Sequence, residues 1–137
     1  MVLRRIGAVV AGLAIAFAIV MVTEMIPHKL YPPVPGTNMD DFTQVKAYVA
    51  RLPMTALVIV LAGWLVATIA GTSVAAGIGR SRVPAYVVGA LLLAGGIMNA
   101  LVIPQPVWFS AVSLVIYIVG TMIGGRIAVP NRRVEVA

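Results

Sequence analysis

The chain of 137 residues contains no cysteine, one histidine and only four acidic residues, and charged residues make up just 10 % of it. Each scarcity excludes something. Without cysteine there is no disulfide, no thiolate metal site and no thiol catalysis. One histidine and four acids are too few for a catalytic metal or for paired acid–base carboxylates, and no Ser-His-Asp pattern, phosphate loop or HExxH motif is present. The expectation is therefore a protein with no enzymatic activity, no cofactor and no metal. An ordinary soluble domain carries about 25 % charged residues to cover its surface. With 61 % apolar residues and a mean hydropathy of +1.06, this chain cannot wrap its core in water, which excludes a soluble enzyme and a disordered tail. The net charge of +6 does not point to nucleic acid, because the positive residues fall at helix ends rather than in a stripe.

What the chain has is long charge-free stretches, at 6–23, 52–79 and 83–125. A bilayer core of about 30 Å takes roughly 20 helical residues. The first two stretches are single spans, and the third is twice the needed length. Pro104-Gln105-Pro106 near its middle breaks the helix, because each proline lacks an N–H and restricts the residue before it. The reading is all-α: one transmembrane domain over 1–137, a four-helix bundle with spans near 6–26, 53–79, 83–103 and 107–126 and an outer loop at 27–52. An inside N-terminus puts Arg4, Arg5, Arg80, Arg82, Arg126, Arg132 and Arg133 on the inner face, against Lys29, Lys46 and Arg51 outside. Both termini are then expected in the cytoplasm. Arg4-Arg5 before an apolar run imitates a signal peptide, but the run reaches Val22 with no small-residue cleavage site after it, so a retained first span is expected.

Helices in lipid associate where small residues let backbones approach. The second span repeats Gly63, Ala67, Gly71, Ala75 and Gly79 at every fourth position, the first has Ala8, Gly12 and Ala16, and the fourth has Gly120 and Gly124. These positions are expected to pack the bundle, with the alternative that the stripe of the second span faces another protein. Trp64 and Tyr117 each follow a span-opening proline by the same interval, so they should share a depth, with Thr68, Ser110 and Ser113 in reach as hydrogen-bond partners. Tyr86 and Trp108 suit the interfacial belts.

The loop from Glu24 to Pro53 is the one sizeable region outside the spans. Pro27, Pro32, Pro33 and Pro35 make its first half extended and stiff. A short amphipathic helix is expected from about Asp40 to Leu52, capped by Asn38 or Asp40. Phe42, Val45, Val49 and Leu52 share its apolar face, which would lie flat on the membrane. The motif Glu24-x-x-x-His28-x-x-Tyr31-Pro32-Pro33-x-Pro35-Gly36, followed by an Asp and set among four spans, resembles a family of small bacterial membrane proteins to which no activity is assigned. The resemblance implies a bacterial inner membrane and the four-span architecture.

Glu24 sits at the outer end of the first span, where an acid is costly unless paired or hydrated. His28 follows one helical turn later, and Asn99 lies roughly 7 Å below the outer hairpin. Two readings stay open. Glu24, His28 and Asn99 can form one polar pocket for an ion, a headgroup or a proton, and a cation held there would weaken on acidification. Alternatively Glu24 is hydrated or paired with Lys29, and His28 meets headgroups. The leading functional expectation is an accessory, assembly or self-associating subunit, with membrane lipids, another membrane protein or a second copy as partner. A small oligomeric transporter or channel using Glu24, or an outer-leaflet lipid-binding protein, are the alternatives.

Overall fold

The charge-free stretches fold as helices almost to their ends. The computed structural model describes residues 2–103 and 105–129. Among them the elements are α1 (Val2–Leu30), α2 (Phe42–Arg51), α3 (Met54–Gly79), α4 (Val83–Val102) and α5 (Val107–Ala128), with no strand. Helices α1, α3, α4 and α5 are each long and apolar enough to cross a membrane. This is a multi-pass membrane protein with an all-helical bundle. Arg132 and Arg133, counted above toward the inner face, lie outside the described residues.

Helix α3 is the centre of the bundle. It packs on α1, α4 and α5, while α4 also meets α5 and, less extensively, α1. Helix α1 continues past Pro27 to Leu30, beyond the 26 that the proline suggested. A proline removes a single N–H from the helical ladder, and the turn after it closes normally, the Tyr31 N–H donating to the Pro27 carbonyl at 2.7 Å. Between α3 and α4 the chain reverses through Arg80, which adopts a left-handed conformation at φ 51°. Ser81 N–H donates back to the Ala76 carbonyl there, closing the helix end in the manner usually left to glycine. The Arg82 guanidinium donates to the Val129 carbonyl through Nε and Nη2, at 3.1 and 2.9 Å, fastening the end of α5 beside that turn.

Close packing uses the small residues inside the bundle. Gly12 on α1 and Gly71 on α3 meet backbone to backbone, so that a Cβ on Gly71 would lie 2.7 Å from the Gly12 carbonyl oxygen and 2.8 Å from the Ala16 Cβ. Gly63, Gly71 and Ala75 of the α3 stripe face α1, and Gly79 faces Pro84 of α4. At four other positions a glycine receives a threonine: Gly63 faces Thr23, Gly89 faces Thr121, Gly120 faces Thr68 and Gly124 faces Thr72. In each case the threonine hydroxyl donates to the carbonyl four residues back in its own helix, at 2.6–2.8 Å. That bond satisfies the hydroxyl where no water is available; the threonine methyl lies nearest the notch over Gly63 and Gly120, and the hydroxyl oxygen over Gly89 and Gly124.

Candidate functional site

The loop after α1 carries α2 back over one end of the bundle. Val34, Pro35, Gly36 and Thr37 form a turn in which the Thr37 N–H donates to the Val34 carbonyl at 3.0 Å and Gly36 takes φ 87°. Proline and then glycine at its two central positions are what a type II turn requires. Asp41, rather than Asn38 or Asp40, caps α2: its carboxylate accepts from the Thr43 N–H at 2.9 Å. Asn38 is engaged elsewhere, its side-chain oxygen accepting from the Asp40 N–H and its own backbone N–H donating to Gln44 Oε1. The backbone of α2 lies close to no other helix. Side chains hold it instead. The Tyr48 hydroxyl donates to the Tyr31 carbonyl at 2.9 Å, and the Tyr48 ring meets His28 with centroids 5.3 Å apart.

Under α2 is a cavity of about 240 Å³ whose lining includes Glu24, His28, Asn99, Gln105 and Trp64. The three residues singled out in the sequence are thus brought to one space. Val45, Val49 and Leu52 roof it, so much of the α2 apolar face turns onto the bundle. Phe42, half exposed, does not join them. A second cavity of about 220 Å³ shares Glu24, Trp64 and Asn99 with the first, and runs along α1 and α4 past Phe17, Leu92, Gly95 and Gly96 to Tyr117. Each alone is smaller than a typical ligand pocket, and together they fall within the usual range of about 300–1,000 Å³. Glu24 also borders an open groove with Met21, Met25 and Lys29. It is exposed on that flank and stands where the three spaces meet.

Trp64 is the residue whose role the sequence did not disclose. Its ring stacks on Tyr117 at 6.0 Å and meets Phe109 edge-on at 5.4 Å, so the two rings do share a depth. The expected hydrogen-bond partners are absent. Thr68 spends its hydroxyl on the Trp64 carbonyl, and Ser113 donates to the Ser110 carbonyl. Among the described residues the buried indole N–H has no hydrogen-bond partner. The Glu24 carboxylate stands beside it without meeting hydrogen-bond geometry. An orphaned buried donor costs about 1–3 kcal/mol, and this one borders both cavities.

Compared with protein-family models, curated proteins and solved structures, the chain matches none. The site therefore rests on its own chemistry. Among the described residues no group of three or more His, Cys, Asp or Glu could hold a metal ion. A third cavity, also about 240 Å³, lies between the proline-rich loop and α2, but it contains neither a carboxylate nor an orphaned buried donor. The paired cavities offer something different: an apolar crevice ending in one carboxylate, one imidazole, two amides and a free indole N–H.

Proposed function

We propose that this is a non-enzymatic inner-membrane protein that holds a lipid-class amphiphile, its chain in the α1–α4 crevice and its polar end under α2. Both termini are cytoplasmic in this reading and α2 lies at the outer surface, following the distribution of lysine and arginine. The observation that carries it is that two adjoining cavities share Glu24, Trp64 and Asn99 in their linings, a mainly apolar crevice beside a small set of convergent polar groups. The alternative of an accessory or self-associating subunit loses one support, because the α3 stripe offered for a partner packs inside the bundle, on α1 at Gly63, Gly71 and Ala75 and on α4 at Gly79.

Gly95 provides the test. A Cβ there meets nothing within 4 Å, although the residue lines the lower cavity. Gly95→Leu should fill the crevice while leaving the bundle intact. Lipid extracted from the purified parent and variant, quantified per mole of protein, should fall in the variant with no loss of thermal stability. Equal lipid content in both would refute the assignment.

A further inference from the structure

We propose that the polar end of this amphiphile is an ammonium group with an oxygen acceptor next to it, the ammonium on the Glu24 carboxylate and the oxygen on the Trp64 indole N–H. The assignment rests on the amphiphile reading above and adds the class of headgroup. Its first support is charge. Among the described residues Glu24 is the only carboxylate along the two cavities, and no lysine or arginine lines either of them. Lys29 lies along the flank groove instead. An anionic head would meet a carboxylate with no fixed cation to balance it, and like charges brought together at a binding surface cost several kcal/mol.

The second support is the orphaned donor. Indole nitrogen can only donate, so the buried Trp64 N–H calls for an acceptor, and among the described residues none meets hydrogen-bond geometry, the Glu24 carboxylate beside it included. A phosphate, ester or hydroxyl oxygen two carbons away from an ammonium satisfies the two neighbouring groups at once. The third is depth. Glu24 lies six residues before the end of α1, about 9 Å along the helix, where a lone charge is costly and a paired one much less so. The aromatic rings do not offer an alternative hold. Trp64 is stacked on Tyr117 and edged by Phe109, so a charge-assisted hydrogen bond to Glu24 is the stronger grip for an ammonium.

The chain has two tryptophans, so Trp108→Phe leaves Trp64 as the only indole to report on the site. That protein, in detergent micelles, is titrated with phosphatidylethanolamine and with phosphatidylglycerol of the same chains while tryptophan emission is followed. Phosphatidylethanolamine should bind at least about tenfold more tightly, and Glu24→Gln should bring the two lipids to within about twofold. Trp64→Phe, read by native mass spectrometry, should weaken phosphatidylethanolamine binding while keeping the preference over phosphatidylglycerol. Equal binding of the two lipids by the parent, or a preference that survives Glu24→Gln, overturns the headgroup assignment. Displacement of the lipid by free ethanolamine at equal concentration would assign the site to a soluble amine, overturning the amphiphile while keeping the ammonium on Glu24. Binding of neither lipid, or full phosphatidylethanolamine binding by Gly95→Leu, would instead remove the cavity reading on which the assignment stands.

Discussion

The α1–α3 contact gives a graded prediction for glycine substitution. Gly71→Ala places a methyl 2.7 Å from the Gly12 carbonyl oxygen and 2.8 Å from the Ala16 Cβ, where carbon contacts prefer about 3.5–4.0 Å. Neither neighbour is the end of a flexible side chain, so the two helices must part along their contact. Overpacking of this kind costs about 1–3 kcal/mol, offset by up to about 1 kcal/mol from the better helix propensity of alanine. Gly125→Ala adds the same methyl at 3.7 Å from the Ala85 Cβ, an ordinary contact, and Gly95→Ala adds it to open space. The expected order of stability is therefore Gly95→Ala at or above the parent, Gly125→Ala near it, and Gly71→Ala clearly below both. Unfolding of the three variants in mixed dodecyl maltoside and SDS micelles, followed by circular dichroism, measures that order. Gly71→Ala as stable as Gly95→Ala would show that the helices do not approach as described.

Gly120→Ala should also destabilise, since its methyl would lie 2.9 Å from Thr68 Cγ2, and adding Thr68→Ser should recover part of the loss by removing that carbon while keeping the hydroxyl; an unrelieved double variant in the same unfolding assay would refute the glycine–threonine fit. Tyr48→Phe removes the bond to the Tyr31 carbonyl, worth about 0.5–1.5 kcal/mol, and should speed amide exchange in α2 with little change in α3; unchanged exchange would show that α2 is held otherwise. Burial raises the Tyr48 phenol above its ordinary value of 10.0, so this fastening should persist through neutral pH and be lost only as pH climbs beyond the raised value, an earlier loss pointing to a different group. Cysteine at Thr37 should react with an impermeant reagent on intact cells and cysteine at Asn131, outside the described residues, should not; the reverse pattern would invert the assigned orientation.

The four long helices were legible because lipid leaves a coarse signature: runs without charge, cut by Arg80–Arg82 and by Pro104-Gln105-Pro106. Their ends were less so. Pro27 read as a stop, yet one missing N–H does not halt a helix whose next turn closes on Tyr31. The α2 cap shifted from Asn38 or Asp40 to Asp41, because adjacent short polar side chains compete for the same N–H groups and a one-residue difference in register decides among them. The small-residue spacing marked where helices touch but could not say what they touch. Four of the glycines receive a threonine from a distant helix, a pairing that depends on the crossings and leaves no local pattern. Glu24, His28 and Asn99 could be placed near one depth by counting residues. That Trp64 reaches the same space with its N–H unsatisfied follows only from the packing of Tyr117, Phe109 and Thr68 around it.

Gly95 and Gly96 show most sharply what spacing alone cannot distinguish. They are neighbours in α4. A Cβ on Gly96 would run into the Tyr117 ring, whereas one on Gly95 would meet no atom within 4 Å. Glycine inside a helix is destabilising by about 1 kcal/mol relative to alanine. At Gly96 the close approach of Tyr117 accounts for it, and with it the stack that fixes Trp64. At Gly95 neither a contact nor a turn requires it, since no positive φ occurs there. Gly95 is exposed and lies at the edge of the second cavity, whose lining also includes Glu24 and Trp64. A side chain there would close the crevice without disturbing a single packed neighbour. Loss of bound lipid in Gly95→Leu with stability retained would therefore separate occupancy of the cavity from folding of the bundle, a separation that substitution at Gly96, Gly71 or Gly120 cannot provide.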